Sequence, residues 1–146
     1  MNHDDYSDDY IRSILTGVKT IAVVGASDKE ERPSNYVTRF LAAHGYRMFA
    51  VNPAAGPGAT IAGAPAYASL ADIPEPIDMV DVFRNSEAAA GVVAEALALA
   101  TPPKVIWLQL GVRNDEAAEM AEAAGVKMVM DRCPKIEIPR LGLDPV

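Results

Sequence analysis

The stretch Ile21-Ala-Val-Val-Gly-Ala-Ser27 begins as an apolar, β-branched run and ends in a glycine turn. A polar loop follows, and Ser34 is then expected to cap a helix. Apolar side chains recur beyond it at helical spacing until Gly45, a typical helix-ending residue. A buried strand that leads through a glycine into an amphipathic helix is typical of the first unit of a doubly wound α/β sheet.

The same alternation of short apolar runs and amphipathic stretches continues along the chain. Ser86 and Asn114 are expected to cap two further helices, and a short connection containing Ile61, Tyr67 and Leu70 separates the second and third strands. The four later strands are predicted at 46–51, 78–83, 104–108 and 126–130. These elements predict a Rossmann-like, mainly parallel five-stranded sheet in the order 3-2-1-4-5, with helices on both faces.

Length and composition predict one domain that spans residues 1–146. The chain has 146 residues, of which 50% are hydrophobic, so it can bury a sizeable core. Residues 1–17 are expected to form an N-terminal extension with a short helix. Its start lacks basic residues and an apolar segment, and no later run approaches membrane-spanning length. We therefore expect a soluble, cytoplasmic protein.

Cysteine, histidine and charge exclude several kinds of site. Cys133 is the single cysteine, so neither an internal disulfide nor a cysteine-based metal cage can form, and His3 and His44 add no metal constellation. The formal net charge is -7, to which an acidic N-terminal segment contributes strongly. This balance does not favour nucleic acid or an anionic membrane as a partner. An anionic ligand would need local backbone dipoles and a few arginines.

The loop from Gly25 to Ser27 has two interpretations. Its amides and the following helix start are suited to receive a phosphate, whereas an isolated glycine can also serve only as a turn. The loop lacks the three glycines of the G-x-G-x-x-G dinucleotide fingerprint, and Val51-Asn-Pro53 stands where an acidic residue would accept ribose hydroxyls. These two differences disfavour NAD as the ligand.

Eight motifs follow one another along the chain, close to the ends of the predicted strands. They are Ile21-Ala-Val-Val-Gly-Ala-Ser27, Arg32-Pro-Ser34, Gly45-Tyr46, Val51-Asn-Pro53, Ala68-Ser-Leu70, Asp81-Val-Phe-Arg84, Trp107-Leu-Gln-Leu-Gly111 and Met130-Asp-Arg-Cys-Pro-Lys135. Together they resemble the small stand-alone CoA-binding protein family, which is similar to the N-terminal domain of the succinyl-CoA synthetase α subunit. The resemblance runs from about Ile11 to Arg140.

This resemblance implies a site for coenzyme A or an acyl-CoA at the carboxyl ends of the strands. The implied contacts are Gly25, Ala26 and Ser27 with pantetheine or diphosphate, Arg32 and Ser34 with phosphate, Asn52 and Pro53 in the second loop, Val82, Phe83 and Arg84 near adenosine, and Gly111 along the pantetheine arm. The second domain that supplies a phosphorylated histidine in the synthetase is missing from this sequence. A complete ligase reaction is therefore not expected, and the resemblance favours a protein that is not an enzyme.

Two side chains carry competing interpretations. Arg84 ends the third predicted strand, where it can meet phosphate or adenine, or else pair with Glu87 or Asp72. Cys133 lies between Arg132 and Lys135, whose charges favour a thiolate that exchanges with the CoA thiol. The alternative is that Cys133 is a packed structural residue.

The sequence thus predicts non-catalytic binding of coenzyme A or an acyl-CoA, in metabolite sensing, carrying or regulation. One alternative is an NAD(P)-binding, reductase-like protein, although neither the glycine fingerprint nor a catalytic acid or base is evident. Another is a protein-interaction module with a vestigial nucleotide site. A protein partner or a homo-oligomer is left open.

Overall fold

The computed structural model describes residues 1–146 and contains one seven-stranded sheet in the order β3-β4-β2-β1-β5-β6-β7. The strands are β1 (Thr20–Val24), β2 (Arg47–Val51), β3 (Thr60–Ile61), β4 (Ala64–Tyr67), β5 (Met79–Val82), β6 (Val105–Leu108) and β7 (Lys127–Val129). The helices are α1 (Asp8–Gly17), α2 (Pro33–Ala43), α3 (Ser86–Leu97), α4 (Asp115–Ala123) and α5 (Pro134–Leu141). All neighbouring strands are parallel except the β3–β4 hairpin.

The Rossmann-like α/β fold is confirmed, but the five-stranded sheet with the order 3-2-1-4-5 is not. The predicted third strand, β5, lies beside β1 rather than beside β2. Its expected place next to β2 is taken by β4, which the sequence analysis treated as part of a connection. From β1 the chain adds β2 and β4 on one side of the sheet, and then crosses to add β5, β6 and β7 on the other side. The crevice at this change of direction opens where β1 and β5 end.

The sheet is covered on both faces, because successive strand side chains point to opposite sides. On β1, Ile21 and Val23 pack in the cluster that includes α1, α2 and α5, whereas Ala22 and Val24 pack in the cluster that includes α3 and α4. This arrangement explains why the strands read as continuous apolar runs rather than as alternating patterns.

Helix caps differ from the prediction at two of three positions. Asn114 caps α4 by accepting a hydrogen bond from the Ala117 amide, as expected. Asn85 rather than Ser86 caps α3, and the Ser86 hydroxyl instead accepts a hydrogen bond from the Arg113 amide in the loop after β6. Ser34 lies within the first turn of α2, since the N-cap is Arg32, whose side chain makes no capping bond.

The N-terminal segment is tied to the last strand. Ser7 caps α1, and the Tyr6 hydroxyl accepts a hydrogen bond of 2.9 Å from the Met130 amide at the end of β7. The buried His3 contacts both Tyr6 and Glu122 of α4 through its two ring nitrogens. No helix in the chain has the length and apolar character needed to cross a bilayer.

Asp81 is an unusual residue for the centre of a parallel sheet. It lies on β5 between Val23 of β1 and Trp107 of β6, is fully buried, and neither carboxyl oxygen has a hydrogen-bond partner. Burial raises the pKa of Asp81 well above its ordinary value, because the charged form loses its hydration without compensation. The side chain therefore favours the neutral form in the folded protein.

This carboxyl makes stability depend on pH. Above pH 3.8 the unfolded chain releases the Asp81 proton while the folded chain retains it, so the free energy of unfolding falls as pH rises towards the folded-state pKa. The slope for one proton is at most about 1.4 kcal/mol per pH unit. Asp81→Asn should remove this component and be the more stable protein at neutral pH. Urea unfolding of both proteins at several pH values tests this, and identical slopes would contradict it.

Candidate functional site

The turn after β1 touches the turn after β5 directly. Gly25 adopts a φ of +86°, and a Cβ added there would lie 2.8 Å from the Phe83 carbonyl oxygen and 3.3 Å from Cδ of Arg84. Only a residue without a side chain allows this approach. The predicted site residues Gly25, Phe83 and Arg84 are thus brought together at the reversal of the sheet, where ligands of open α/β sheets bind.

Only some of the amides that the sequence suggested are free in the β1–α2 loop. Both Gly25 and Ala26 donate their backbone N–H to the Val51 carbonyl at 3.2 Å. The amides of Ser27 and Ser34 have no acceptor in the chain. Because α2 also lacks a side-chain cap, its positive end and these two amides remain available to an anion.

Two buried or half-buried asparagines hold this loop in place. The Asn35 side chain in α2 donates to the Ser27 carbonyl at 2.8 Å, and the Asn52 side chain donates to the Ala26 carbonyl at 2.9 Å. Asn52 also accepts from the Ala54 amide, so it links the loops after β1 and β2. Asn52 is therefore placed to position the loop, and Asn35 does the same although the sequence analysis did not single it out.

Three adjoining hollows surround the contact between the turns after β1 and β5. The loop pocket, of about 400 Å³, is lined by Gly25, Ser27, Lys29, Arg32, Ser34 and Phe83. The β2-side pocket, of about 350 Å³, shares Gly25 with it and includes Pro53 and Arg84. The apolar cleft, of about 430 Å³, shares Phe83 with the loop pocket and Arg84 with the β2-side pocket. One extended ligand can therefore contact all three hollows.

The arginines of this region are not paired with acidic side chains. Arg84 is exposed and forms no ion pair, so the alternative pairing with Glu87 or Asp72 does not occur. Arg32 is likewise exposed and unpaired beside the start of α2. Two free guanidinium groups beside an uncapped helix end form a local positive region in an acidic protein.

The apolar cleft lies between α2, the loop after β6 and α5. Cys133 and Gln109 line it, are both buried, and Oε1 of Gln109 has no hydrogen-bond partner. A buried acceptor without a donor is uncommon and costly. The cleft therefore has a place for a ligand that supplies an N–H group.

The cations that flank Cys133 in sequence contact aromatic rings. The Arg132 guanidinium lies 5.1 Å from the centre of the Tyr6 ring and donates to the Asp131 carbonyl. The Lys135 ammonium lies 5.4 Å from the centre of the Phe40 ring, and Lys135 lines the apolar cleft together with Cys133. The reason to place Cys133 in the candidate site is its access to this cleft.

Four of the residues implied by the resemblance do not line these hollows, namely Ala26, Asn52, Val82 and Gly111. Val82 and Ala26 are buried in the core, and the Val82 carbonyl accepts a hydrogen bond from the Gln109 amide. Gly111 is exposed, and its amide donates to Asp131 at 2.7 Å, while its neighbours Gln109, Leu110 and Val112 line the apolar cleft. Together with Asn52, these residues shape the loops that carry the lining side chains.

The sequence analysis also missed Tyr36, Gln109, Leu110 and Ile136 as lining residues of the cleft. Tyr36 and Ile136 are large apolar residues on the exposed faces of α2 and α5, and an apolar residue on the polar face of an amphipathic helix is a signal that the sequence contains. Gln109 gave a weaker signal, as a polar residue directly after an apolar strand.

Known proteins share this fold and much of this sequence. A family model described as CoA binding domain matches residues 19–139. The uncharacterized protein YneT of Bacillus subtilis is 40% identical over 126 residues, which are 86% of this chain and 90% of YneT. A Thermus thermophilus structure, cell-free ID.343, has a TM-score of 0.84 at 42% identity and covers 93% of this chain and 99% of its own.

A longer relative is an ADP-forming acetate–CoA ligase of Archaeoglobus fulgidus. It is 28% identical over 123 residues, which are 79% of this chain but only 18% of the ligase. The match therefore concerns one part of that enzyme. From the family model and the two more similar proteins, we conclude that this chain belongs to the CoA-binding domain family.

Proposed function

We propose that this protein binds coenzyme A or an acyl-CoA at the reversal point of its sheet and acts without catalysis, in metabolite sensing, carrying or regulation. The observation that carries the proposal is the continuity between the positive, amide-lined loop pocket and the apolar cleft. Coenzyme A has the same two-part character, since it joins a phosphorylated nucleotide to an uncharged arm. Family membership and the likeness to part of an acetate–CoA ligase support the same ligand.

In this proposal, the amides of Ser27 and Ser34 and the Arg32 guanidinium hold the phosphates. Phe83 and Arg84 lie between the hollows and contact the adenosine, while Pro53 borders it from the β2 side. The arm extends over Phe83 into the apolar cleft towards Cys133. The residues Gly25, Ala26, Asn52, Val82 and Gly111 contribute by holding the loops in shape.

The rival NAD(P)-binding function lacks structural support in the β1–α2 loop. The first two loop amides are bonded to Val51, and Asn52 rather than an acidic residue follows β2. A dinucleotide site normally needs close approach at the glycine loop and a carboxylate for the ribose. The proposed ligand is therefore coenzyme A rather than a dinucleotide.

Thermal unfolding with added ligands tests this choice. A ligand that binds only the folded state stabilises it by roughly 2.7 kcal/mol at 100 times its dissociation constant. Coenzyme A should therefore raise the melting temperature by several degrees, and NAD and NADP should raise it less at equal concentration. A larger rise with NAD, or no rise with any nucleotide, would contradict the proposal.

The role proposed for Cys133 predicts a mixed disulfide. A CoA-containing disulfide bound with its arm in the apolar cleft can be attacked by the Cys133 thiolate, which forms Cys133–S–S–CoA and releases the other thiol. Intact mass spectrometry should show one CoA-sized adduct that reductant removes. An adduct of the same yield in Cys133→Ser, or none in the wild type, would remove Cys133 from the proposed site.

Mass spectrometry also separates the proposal from the vestigial-site alternative. Protein purified without added ligand and then denatured should release a CoA-sized species. A protein-interaction module with an inactive site would release none, would show no stabilisation by coenzyme A, and would retain a stable protein partner during purification.

A further inference from the structure

An unexplained group of exposed apolar side chains borders the cleft. Apart from Met1 and Val146 at the chain ends, the exposed large apolar residues are Tyr36 at 45%, Leu110 at 54% and Ile136 at 51% exposure. All three line the apolar cleft, and they come from α2, the loop after β6 and α5. Exposed apolar side chains that come from separate elements and cluster on one surface mark a binding surface.

The interior of the cleft differs from this apolar rim. Its inner wall includes the buried Val37, Cys133 and Gln109, and the Gln109 Oε1 lacks a donor. The pantetheine arm of coenzyme A carries two amide N–H groups and ends in a sulfur. An arm that donates one of these N–H groups to Gln109 would satisfy the buried acceptor and place the sulfur between the cleft walls.

We infer that the apolar cleft holds the acyl group of an acyl-CoA, and that the protein prefers coenzyme A esters of apolar acyl chains over free coenzyme A. This inference rests on the proposed function. The free arm leaves Tyr36, Leu110 and Ile136 facing water, whereas a chain attached to its sulfur covers them. Removal of this apolar surface from water supplies the preference.

The cleft's continuity with the loop pocket favours a ligand chain over a protein partner. Pro33 and Phe83 line both hollows, so a molecule whose phosphates lie at the loop can reach the cleft across these two residues. The acceptor that needs a donor lies within the cleft rather than on its rim. A flat partner surface would cover the rim and leave Gln109 without a donor.

A series of acyl-CoA esters tests the inference by calorimetric titration into the wild-type protein. A fully buried methylene is worth about fourfold in affinity, so methylenes half-covered at an open rim should give about twofold each. Hexanoyl-CoA, which has four more methylenes than acetyl-CoA, should therefore bind about fifteenfold more tightly.

Two variants assign the effect to the cleft. Leu110→Asp should remove the dependence of affinity on chain length, whereas Ala100→Asp, the matched control at an exposed position away from the site, should retain it. Gln109→Leu should weaken binding of coenzyme A about fivefold. It should not change binding of the nucleotide part of coenzyme A without the arm.

The outcomes separate this inference from the proposed function. Equal affinity for all esters, with coenzyme A still bound, overturns the acyl assignment and leaves CoA binding intact. Failure of every CoA compound to bind overturns the proposed function itself. A flat ester series together with a dimer that Leu110→Asp dissociates would mean that the rim is an interface between two copies, and would also overturn the inference.

Discussion

Arg84→Glu is expected to lower the affinity for coenzyme A by at least tenfold. Arg84 is exposed, unpaired and shared by the apolar cleft and the β2-side pocket, next to the Gly25 turn. The substitution replaces attraction for phosphate or stacking on adenine with repulsion. A tenfold loss corresponds to about 1.4 kcal/mol, which hydrogen bonds to charged groups commonly supply. Calorimetric titration of wild type and variant measures it.

A control variant separates the local effect of Arg84 from that of net charge. Lys19→Glu makes the same change of charge at an exposed residue beside the opposite end of β1. It should leave affinity nearly unchanged at moderate ionic strength, where charges farther apart than about 8–10 Å are screened. Equal losses of affinity in Arg84→Glu and Lys19→Glu would mean that Arg84 does not contact the ligand.

The free energy of unfolding without ligand should differ between Arg84→Glu and the wild type by roughly 0.5 kcal/mol or less.

Gly25→Ala should lower the free energy of unfolding by about 2 kcal/mol or more. The positive φ of Gly25 alone costs an L-residue roughly 1–2 kcal/mol. In addition, the new Cβ would lie 2.8 Å from the Phe83 carbonyl oxygen, which is a backbone atom and cannot move without displacing β5. The same displacement shifts Arg84, so binding of coenzyme A should weaken together with stability.

Gly58→Ala is the matched control for this prediction. Gly58 also has a positive φ, +73°, but a Cβ there meets nothing within 4 Å. Its loss of stability in urea unfolding therefore measures the backbone cost alone. The difference between the two variants isolates the contact between the turns after β1 and β5. Equal losses in both would show that this contact does not constrain Gly25.

The sequence predicted the fold class well because buried parallel strands and amphipathic helices leave strong patterns. It missed β4 because that strand is short, contains Pro65 and follows the two-residue turn Ala62-Gly63, features that also suit a loop. This omission displaced β5 in the predicted order. The observed order places Phe83 and Arg84 directly against Gly25, so residues from two of the motifs meet at one point.

Of the candidate site, the sequence predicted only which loops form it. Motif order located the loops after β1, β2, β5 and β6, but not which atoms within them are free. The amides of Gly25 and Ala26 are bonded to Val51, which depends on contacts between strands that the sequence does not record. The sequence does not show that Gln109 lacks a hydrogen-bond partner or that Leu110 is exposed, because both depend on how α2 and α5 pack on either side of the cleft.

Titration of coenzyme A into the purified wild-type protein tests the central claim most directly. The account predicts saturable binding of one coenzyme A per chain, with an affinity at least tenfold higher than that for NAD measured under the same conditions. Binding of NAD as tight as that of coenzyme A, or no heat and no saturation with coenzyme A in protein shown to be folded and ligand-free, would contradict it.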